Sequence, residues 1–213
     1  GGRAGEPISS IELTLLASAA GHLGVFLRNA ALYSDLDAMF LGTLQSMVAA
    51  IDAKDPYTRG HSQRVAILSR DLAASIGLPE AFVKTAHLSG LVHDIGKIGV
   101  PEAVLCKAGR LTEDEFAAIR QHPQIGFRIL RDIPQIRDLL PGVLCHHESW
   151  DGAGYPAGIA GEEIPLLARI VAICDSFDAM SSSRTYRSAM SREKVFEELR
   201  RCRGTQFDPS IVP

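Results

Sequence analysis

The sequence predicts an all-α chain. Three observations carry that expectation: apolar residues recur at steps of three and four along most of the length, period-two alternation is almost wholly missing, and the apolar stripes are bracketed by residues that start or stop helices.

The first element is the longest. From Ser9 to Asp52 no proline interrupts the chain, and Phe26, Ala30, Tyr33, Leu36, Phe40, Leu44, Met47 and Ile51 keep helical spacing. A patterned helix well beyond about 25 residues usually serves as a coiled coil or connector. The competing reading is two ordinary core helices broken near Gly42, since an internal glycine weakens a helix. We expect residues 1–52 to form a linker and signalling helix and residues 53–213 a separate domain. A stripe from Phe26 to Ile51 leaves more apolar surface than one core can cover, which points to pairing with a second chain as a homodimer.

The following elements are shorter. Val65, Leu68, Leu72 and Ile76 form a stripe that Gly77 stops. Pro79 can open the next helix, which carries Phe82, Val83, Leu88 and Leu91 into "HDIGK". "TEDE", Thr112 to Glu115, is a capping box ahead of Phe116 and Ile119. That helix should stop near Gln121, because His122 precedes Pro123 and a pre-proline residue avoids the α region. Pro165 can start "LLARIVAICDSFDAM", and Ser191 can cap the helix of Val195, Phe196 and Leu199.

Composition narrows the chemistry. With 213 residues, 46% of them apolar, the chain suits one sizeable core or a core plus a short extension. A net charge of −3 leaves no broad basic face for long nucleic acid, so an anionic ligand must be held locally. Cys106, Cys145, Cys174 and Cys202 stand singly, which disfavours a zinc knuckle or a disulfide framework and suits a reducing cytoplasm. The weakly polar run Leu13 to Leu27 contains His22 and falls short of the roughly 20 apolar residues of a membrane span, so no membrane insertion is expected of this fragment. "GGRAGEP" lacks the basic and apolar regions of a signal peptide.

Polar chemistry gathers in histidines and carboxylates. His61, His93, Asp94, His122, His146, His147 and Asp175 each lie near a predicted helix end or beside an apolar stripe. Imidazole and carboxylate together suit iron, manganese, nickel or zinc, and a carboxylate beside a histidine can bridge two ions. A single histidine is more often a core imidazole bonded to backbone, but the adjacent pairs His93-Asp94 and His146-His147 reverse that preference. His22 and His87 have no such company and read as structural. Neighbours on a helix point roughly 100° apart, so His146 and His147 cannot share one face, yet both can reach a cluster of charge wider than one atom.

These residues carry a resemblance. "HDIGKIGVPEAVLCKAGRLTEDEF", "HHESWDGAGYP" and "FDAMSSSRTYR" resemble the HD-GYP family, a branch of the HD metal-dependent phosphohydrolases that hydrolyse the bacterial messenger cyclic di-GMP. The resemblance runs from about Asp52 to "QFDP" at Gln206 to Pro209. It implies an HD-type helical bundle around a di-metal site. His61, His93 and Asp175 would hold one ion, His122, His146 and His147 the other, and Asp94 would bridge both. Iron or manganese is the implied metal, with nickel or zinc as alternatives. Lys97 matches the family's lysine near the scissile phosphate, and Gly154, Tyr155 and Pro156 match the loop behind the family's name. Asp178, Arg184 and Arg187 fall where family members contact the substrate. The implied reaction is hydrolysis of a phosphodiester by a hydroxide shared between the two ions, with Asp94 and Lys97 as the catalytic pair.

Departures from the family refine the expectation. In "DPYTRGH", Tyr57 stands where three-metal members carry a glutamate ligand, and a phenol titrating near 10 is a poor ligand at neutral pH. Two ions are therefore expected, not three. Ser149 stands where an arginine commonly follows "HHE", and Thr185 replaces the usual proline before Tyr186. The segment "ISSIELTLLASAAGHLGVFLRNAALYSDL" resembles the last helix of GAF sensor domains, which implies a sensor upstream. Two other readings remain open: a non-catalytic dinucleotide sensor, which would predict a lost ligand or lysine where none is lost, and a hydrolase of a hybrid cyclic dinucleotide.

Overall fold

The structure, a computed structural model, describes residues 9–54, 60–107, 109–182 and 189–212. Nine α-helices are described: α1 (Ser10–Lys54), α2 (His61–Ser75), α3 (Glu80–Val92), α4 (Glu102–Leu105), α5 (Glu113–Ile119), α6 (His122–Leu130), α7 (Leu140–Cys145), α8 (Leu166–Ser181) and α9 (Arg192–Arg201). Short 3-10 turns cover Ile95–Gly99, Pro134–Leu139 and Gly161–Glu163. Among the described residues no strand forms, and a lone bridge joins Arg203 to Phe207. The chain is all-α.

The local signals act where the sequence places them. Gly77, at φ +79°, follows the end of α2, a conformation that costs glycine little. Thr112 accepts from the Glu115 backbone while the Glu115 carboxylate accepts from the Thr112 N–H, the reciprocal cap of α5. Ser191 accepts from the Lys194 N–H and opens α9. Pro79 and Pro165 stand at the N-caps of α3 and α8.

The chain divides into two compact units, residues 1–44 and 45–213. The first unit is the body of α1, which runs 45 residues in all without the break considered near Gly42. Leu16, Leu23, Phe26, Leu27 and Tyr33 are all exposed on it. The run expected to fall short of a membrane span belongs to this longer helix, whose most apolar 18-residue stretch has a mean hydropathy of 1.4. By length and composition alone, α1 is able to cross a membrane. The absence of membrane insertion is thus not something the helix itself dictates.

In the second unit α8 is the central helix, packed against α2, α3, α7 and α9. Leu167, Ile170, Val171 and Cys174 recur on its buried face at helical spacing and meet Val65 and Ala73 of α2, Ala86 of α3 and Val195 and Leu199 of α9. Each large aliphatic side chain fully buried there contributes about 1.5–3 kcal/mol. The last turns of α1 belong to this unit, where Val48 and Ile51 are buried. A second close contact places the site: a Cβ on Gly96 would overlap the His122 carbonyl and crowd the Gly126 N–H, so the turn Ile95–Gly99 lies backbone against backbone on the start of α6.

Candidate metal centre

Most of the predicted ligands stand at helix ends. His61 and His122 are the first residues of α2 and α6, His93 and Asp94 follow the end of α3, and His146 and His147 follow the end of α7; Asp175 alone sits within a helix, α8. Because α7 stops at Cys145, the neighbours His146 and His147 are not held apart as they would be on a continued helix. Their ring centroids lie 4.2 Å apart with planes tilted by 44°. That differs from the sequence expectation for helix neighbours and lets both reach one centre.

Asp94 joins two groups of donors. Its Oδ2 lies 3.3 Å from His93 Nε2 and 3.7 Å from His61 Nε2, while its Oδ1 lies 3.2 Å from His122 Nε2. Asp175 Oδ1 closes the first group at 3.1 Å from His61 Nε2 and 4.0 Å from His93 Nε2. The second group is Asp94, His122, His146 and His147; its donor atoms, like those of His61, His93 and Asp94, all fall within 4.8 Å of one another.

The proton positions favour a cation. His93 Nδ1 lies 2.7 Å from the Gly90 carbonyl, His122 Nδ1 2.8 Å from Ile119 and His146 Nδ1 2.9 Å from Val143. A carbonyl only accepts, so each Nδ1 carries the hydrogen and each Nε2 presents a lone pair inward. His93 Nε2 is buried with no hydrogen-bond partner, and the Nε2 atoms of His122 and His146 face each other at 3.2 Å. Two lone pairs at that distance repel unless positive charge lies between them. The donor set therefore fits divalent metal.

Charge states agree. Burial pushes His147 down to about 4, and burial with the imidazoles of His147, His93 and His122 holds His146 well below its ordinary range. Burial would raise Asp94, but the Lys97 ammonium and the surrounding histidines hold it well below the usual carboxylate range; Asp175 is lowered against its own burial by His61 and His93. His61 is the exception: burial would lower it, yet hydrogen bonds to Asp175 and Asp178 carry it up to about 9, so a cation binding at Nε2 must displace a proton there. Lys97 Nζ sits 2.7 Å from Asp94 Oδ2.

The loop after His147 forms one wall. The Tyr155 ring stacks on His147 at 4.8 Å and 23°, and the Tyr155 N–H donates to the His147 carbonyl at 3.0 Å. A Cβ on Gly154 would overlap the Ser149 N–H, so only glycine lets the loop fold back this closely. Pro156 follows a cis bond from Tyr155. A cleft of about 170 Å³ opens onto His146, His147 and Asp175, with Arg120, Ser149 and Tyr155 around it.

Two neighbours of the centre escaped the sequence reading. Glu148 is buried and accepts from the Ala157 and Gly158 N–H groups at 2.7 and 3.0 Å, clamping the loop. Its only sequence signal is an acid directly after two ligands. The Arg120 guanidinium lies over the rings of Phe116 and Tyr155, 4.5 and 5.2 Å from their centroids, and no motif marked it. Asp178, expected at the substrate, is 3% exposed, with its carboxylate bonded to His61 and Arg64 on α2. Tyr57, Arg184, Thr185, Tyr186 and Arg187 lie outside the described residues. His22 is exposed on α1, and His87 lies apart from the cluster with its Nδ1 lacking a hydrogen-bond partner, unlike the backbone-bonded imidazole expected of it.

A family model described as "HD domain" matches residues 45–211. This chain belongs to the HD domain family. It is 39% identical over 182 residues to a cyclic di-GMP phosphodiesterase of Thermotoga maritima, covering 84% of this chain and 50% of that one. Identity to a cyclic di-GMP phosphodiesterase of Pseudomonas aeruginosa is 40% over 183 residues, 84% of this chain and 44% of the other. A 3'3'-cGAMP-specific phosphodiesterase of Vibrio cholerae is 32% identical over 211 residues, 97% of this chain and 40% of the relative. The HD domain chain thus spans about half the length, or less, of these curated relatives. Among solved structures, a cyclic GMP-AMP specific phosphodiesterase of V. cholerae superposes with a TM-score of 0.64 at 20% identity, covering 80% of this chain and 46% of that one. The HD domain of an L. monocytogenes phosphodiesterase in complex with cyclic-di-AMP gives 0.55 at 24% identity, 74% of this chain and 80% of the other. Both share the HD fold, and the motifs with the curated relatives place the chain in the HD-GYP branch.

Proposed function

We propose that this HD domain is a phosphodiesterase that opens cyclic di-GMP to a linear product at a centre of two divalent ions, iron or manganese in preference to nickel or zinc. The observation that carries the reading is Asp94, whose two oxygens face separate histidine groups while Lys97 rests on one of them. Bound there, such ions supply Lewis acidity toward water and toward phosphoryl oxygens. His61, His93 and Asp175 would hold one ion and His122, His146 and His147 the other, with Asp94 available to both. Lacking a glutamate at Tyr57, the chain holds two ions and not three.

The remaining residues orient and neutralise. Lys97 places a fixed positive charge beside the shared carboxylate, where charge on the phosphoryl oxygens grows as the ester opens. Tyr155, stacked on His147 where the close approach at Gly154 folds the loop back, offers a flat surface to a purine, and Arg120 a cation at the mouth of the cleft. Arg184 and Arg187, three apart in the sequence, would supply cations for the second phosphate or a guanine edge. Local cations of this kind let an acidic chain bind an anion. The chain works in the cytoplasm, downstream of a GAF-like sensor, and pairs with a second copy through α1.

The relative named for 3'3'-cGAMP, alignable over 97% of this chain, favours a second reading in which a hybrid cyclic dinucleotide is the substrate. Incubating the protein with a panel of cyclic dinucleotides, under manganese or anaerobic ferrous iron, separates the readings. Cyclic di-GMP should disappear fastest, with a linear dinucleotide appearing. Faster loss of the hybrid selects the second reading, and intact substrates beside a fully metallated protein defeat both in favour of a sensor.

A further inference from the structure

His61 differs from its neighbours in what fixes its ring. His93, His122 and His146 each give their Nδ1–H to a carbonyl three residues earlier, so local backbone sets their heading. His61 opens α2, where no earlier turn of that helix offers a carbonyl. Its Nδ1 instead lies 2.7 Å from Asp178 Oδ2. Arg64 grips the same carboxylate as a fork, Nε to Oδ1 at 2.6 Å and Nη2 to Oδ2 at 3.0 Å.

The spacing is matched on both helices. Arg64 follows His61 by one turn on α2, and Asp178 follows Asp175 by one turn on α8, so each helix presents one donor to the centre and one brace behind it. Both nitrogens of His61 consequently meet carboxylates of α8, with Asp175 Oδ1 3.1 Å from Nε2. Backbone sets His122 and His146 in one half of the centre and His93 in the other, whereas His61 and Asp175 depend on side chains linking two helices.

We propose that Asp178, braced by Arg64, is the positioning residue of the His61–Asp175 half: it keeps the proton on His61 Nδ1 and aims the Nε2 lone pair at one of the two ions. This rests on the metal reading above and deepens it. Loss of the brace should fall on one ion and leave the other in place, because His122, His146 and His147 owe nothing to Asp178.

Metal titration of the parent, Asp178→Ala, Asp178→Asn and Arg64→Ala, with thermal unfolding in parallel, tests the assignment. The parent should bind two ions. In Asp178→Ala one of them should weaken by about 10–100-fold, the scale of outer-shell losses at metal sites, with the other unchanged. Asp178→Asn can still accept from Nδ1–H without the charge, and should fall between. A parent that binds no metal defeats the metal reading itself. A two-ion parent with both affinities kept in Asp178→Ala overturns the positioning role alone, as does equal weakening of both ions. At saturating metal the KM for cyclic di-GMP should match the parent; a raised KM returns Asp178 to the substrate. Should Asp178→Ala fail to fold, Asp178→Asn and the half-exposed Arg64→Ala carry the same comparison.

Discussion

Asp94 and Lys97 touch, yet their losses should be unlike. Asp94→Ala removes the one carboxylate whose oxygens face both histidine groups, so metal content and turnover should fall together. Lys97→Ala leaves every donor in place. Its metal content should match the parent while turnover falls by about 10²-fold or more, as for other donors to growing negative charge. Metal analysis beside single-turnover kinetics checks the pair, and equal turnover in Lys97→Ala removes the lysine from the reaction. Gly96→Ala tests position rather than chemistry. A methyl there collides with the His122 carbonyl. The expected cost is about 1–3 kcal/mol of overpacking, with weakened binding of the ion on the His122 side, read by thermal unfolding and metal content.

Among the elements, the last turn of α1 reaches both flanks of the site. The Asp52 carboxylate accepts from the Gly60 N–H at 3.0 Å, directly before His61. Lys54 Nζ donates to the Ile98 and Val100 carbonyls, both at 2.8 Å, just past Lys97. A helix end tied to both segments can bias their placement, which is what a signalling helix needs. Lys54→Met should therefore lower turnover while leaving metal content intact, at a cost of about 1–3 kcal/mol for two lost charge-assisted bonds. Parental kinetics in a correctly folded Lys54→Met would show that this turn only anchors. The helix itself was legible from its period, and its passage through Gly42 is consistent with open space around that glycine, where a missing side chain leaves no packing defect.

For the molecule as a whole, Asp208 should carry a share of the acid sensitivity that is separate from the donor carboxylates of the centre. This buried carboxylate pairs with Arg169 of α8 at 2.5 Å and accepts from Ser210, beside the turn in which the Trp150 and Asp151 N–H groups donate to the Gln206 and Thr205 carbonyls. Burial would raise its pKa, but Ser210 and Arg169 lower it. A carboxyl lowered on folding contributes stability that is present above its unfolded value near 4 and is lost as pH falls through the folded value. The parent should thus lose stability on acidification below about pH 4. Asp208→Asn should be less stable at neutral pH by about 1–3 kcal/mol and show a shallower acid limb in denaturant titrations. Parallel acid limbs would place the sensitivity elsewhere.

What the sequence determined by itself is what local chemistry enforces. Helical period, the Thr112 and Ser191 caps and the stop at Gly77 act within a few residues, so each is readable in order along the chain; His122, expected to avoid the helix ahead of Pro123, instead opens α6. The donor types are readable too, because adjacent pairs such as His93-Asp94 and His146-His147 are hard to explain as separate core imidazoles. Distances between elements are not local. That Asp178 lies behind His61 follows from how α8 packs on α2, and two carboxylates one turn apart on α8 look alike until the facing helix is in place. Arg120 and Glu148 were hidden for the same reason: one meets the Tyr155 ring brought over from another loop, the other N–H groups that a turn carries back to it. The tertiary structure alone assigns each donor its proton and its partner, since a lone pair is directed by what lies behind the ring, and that is set by packing.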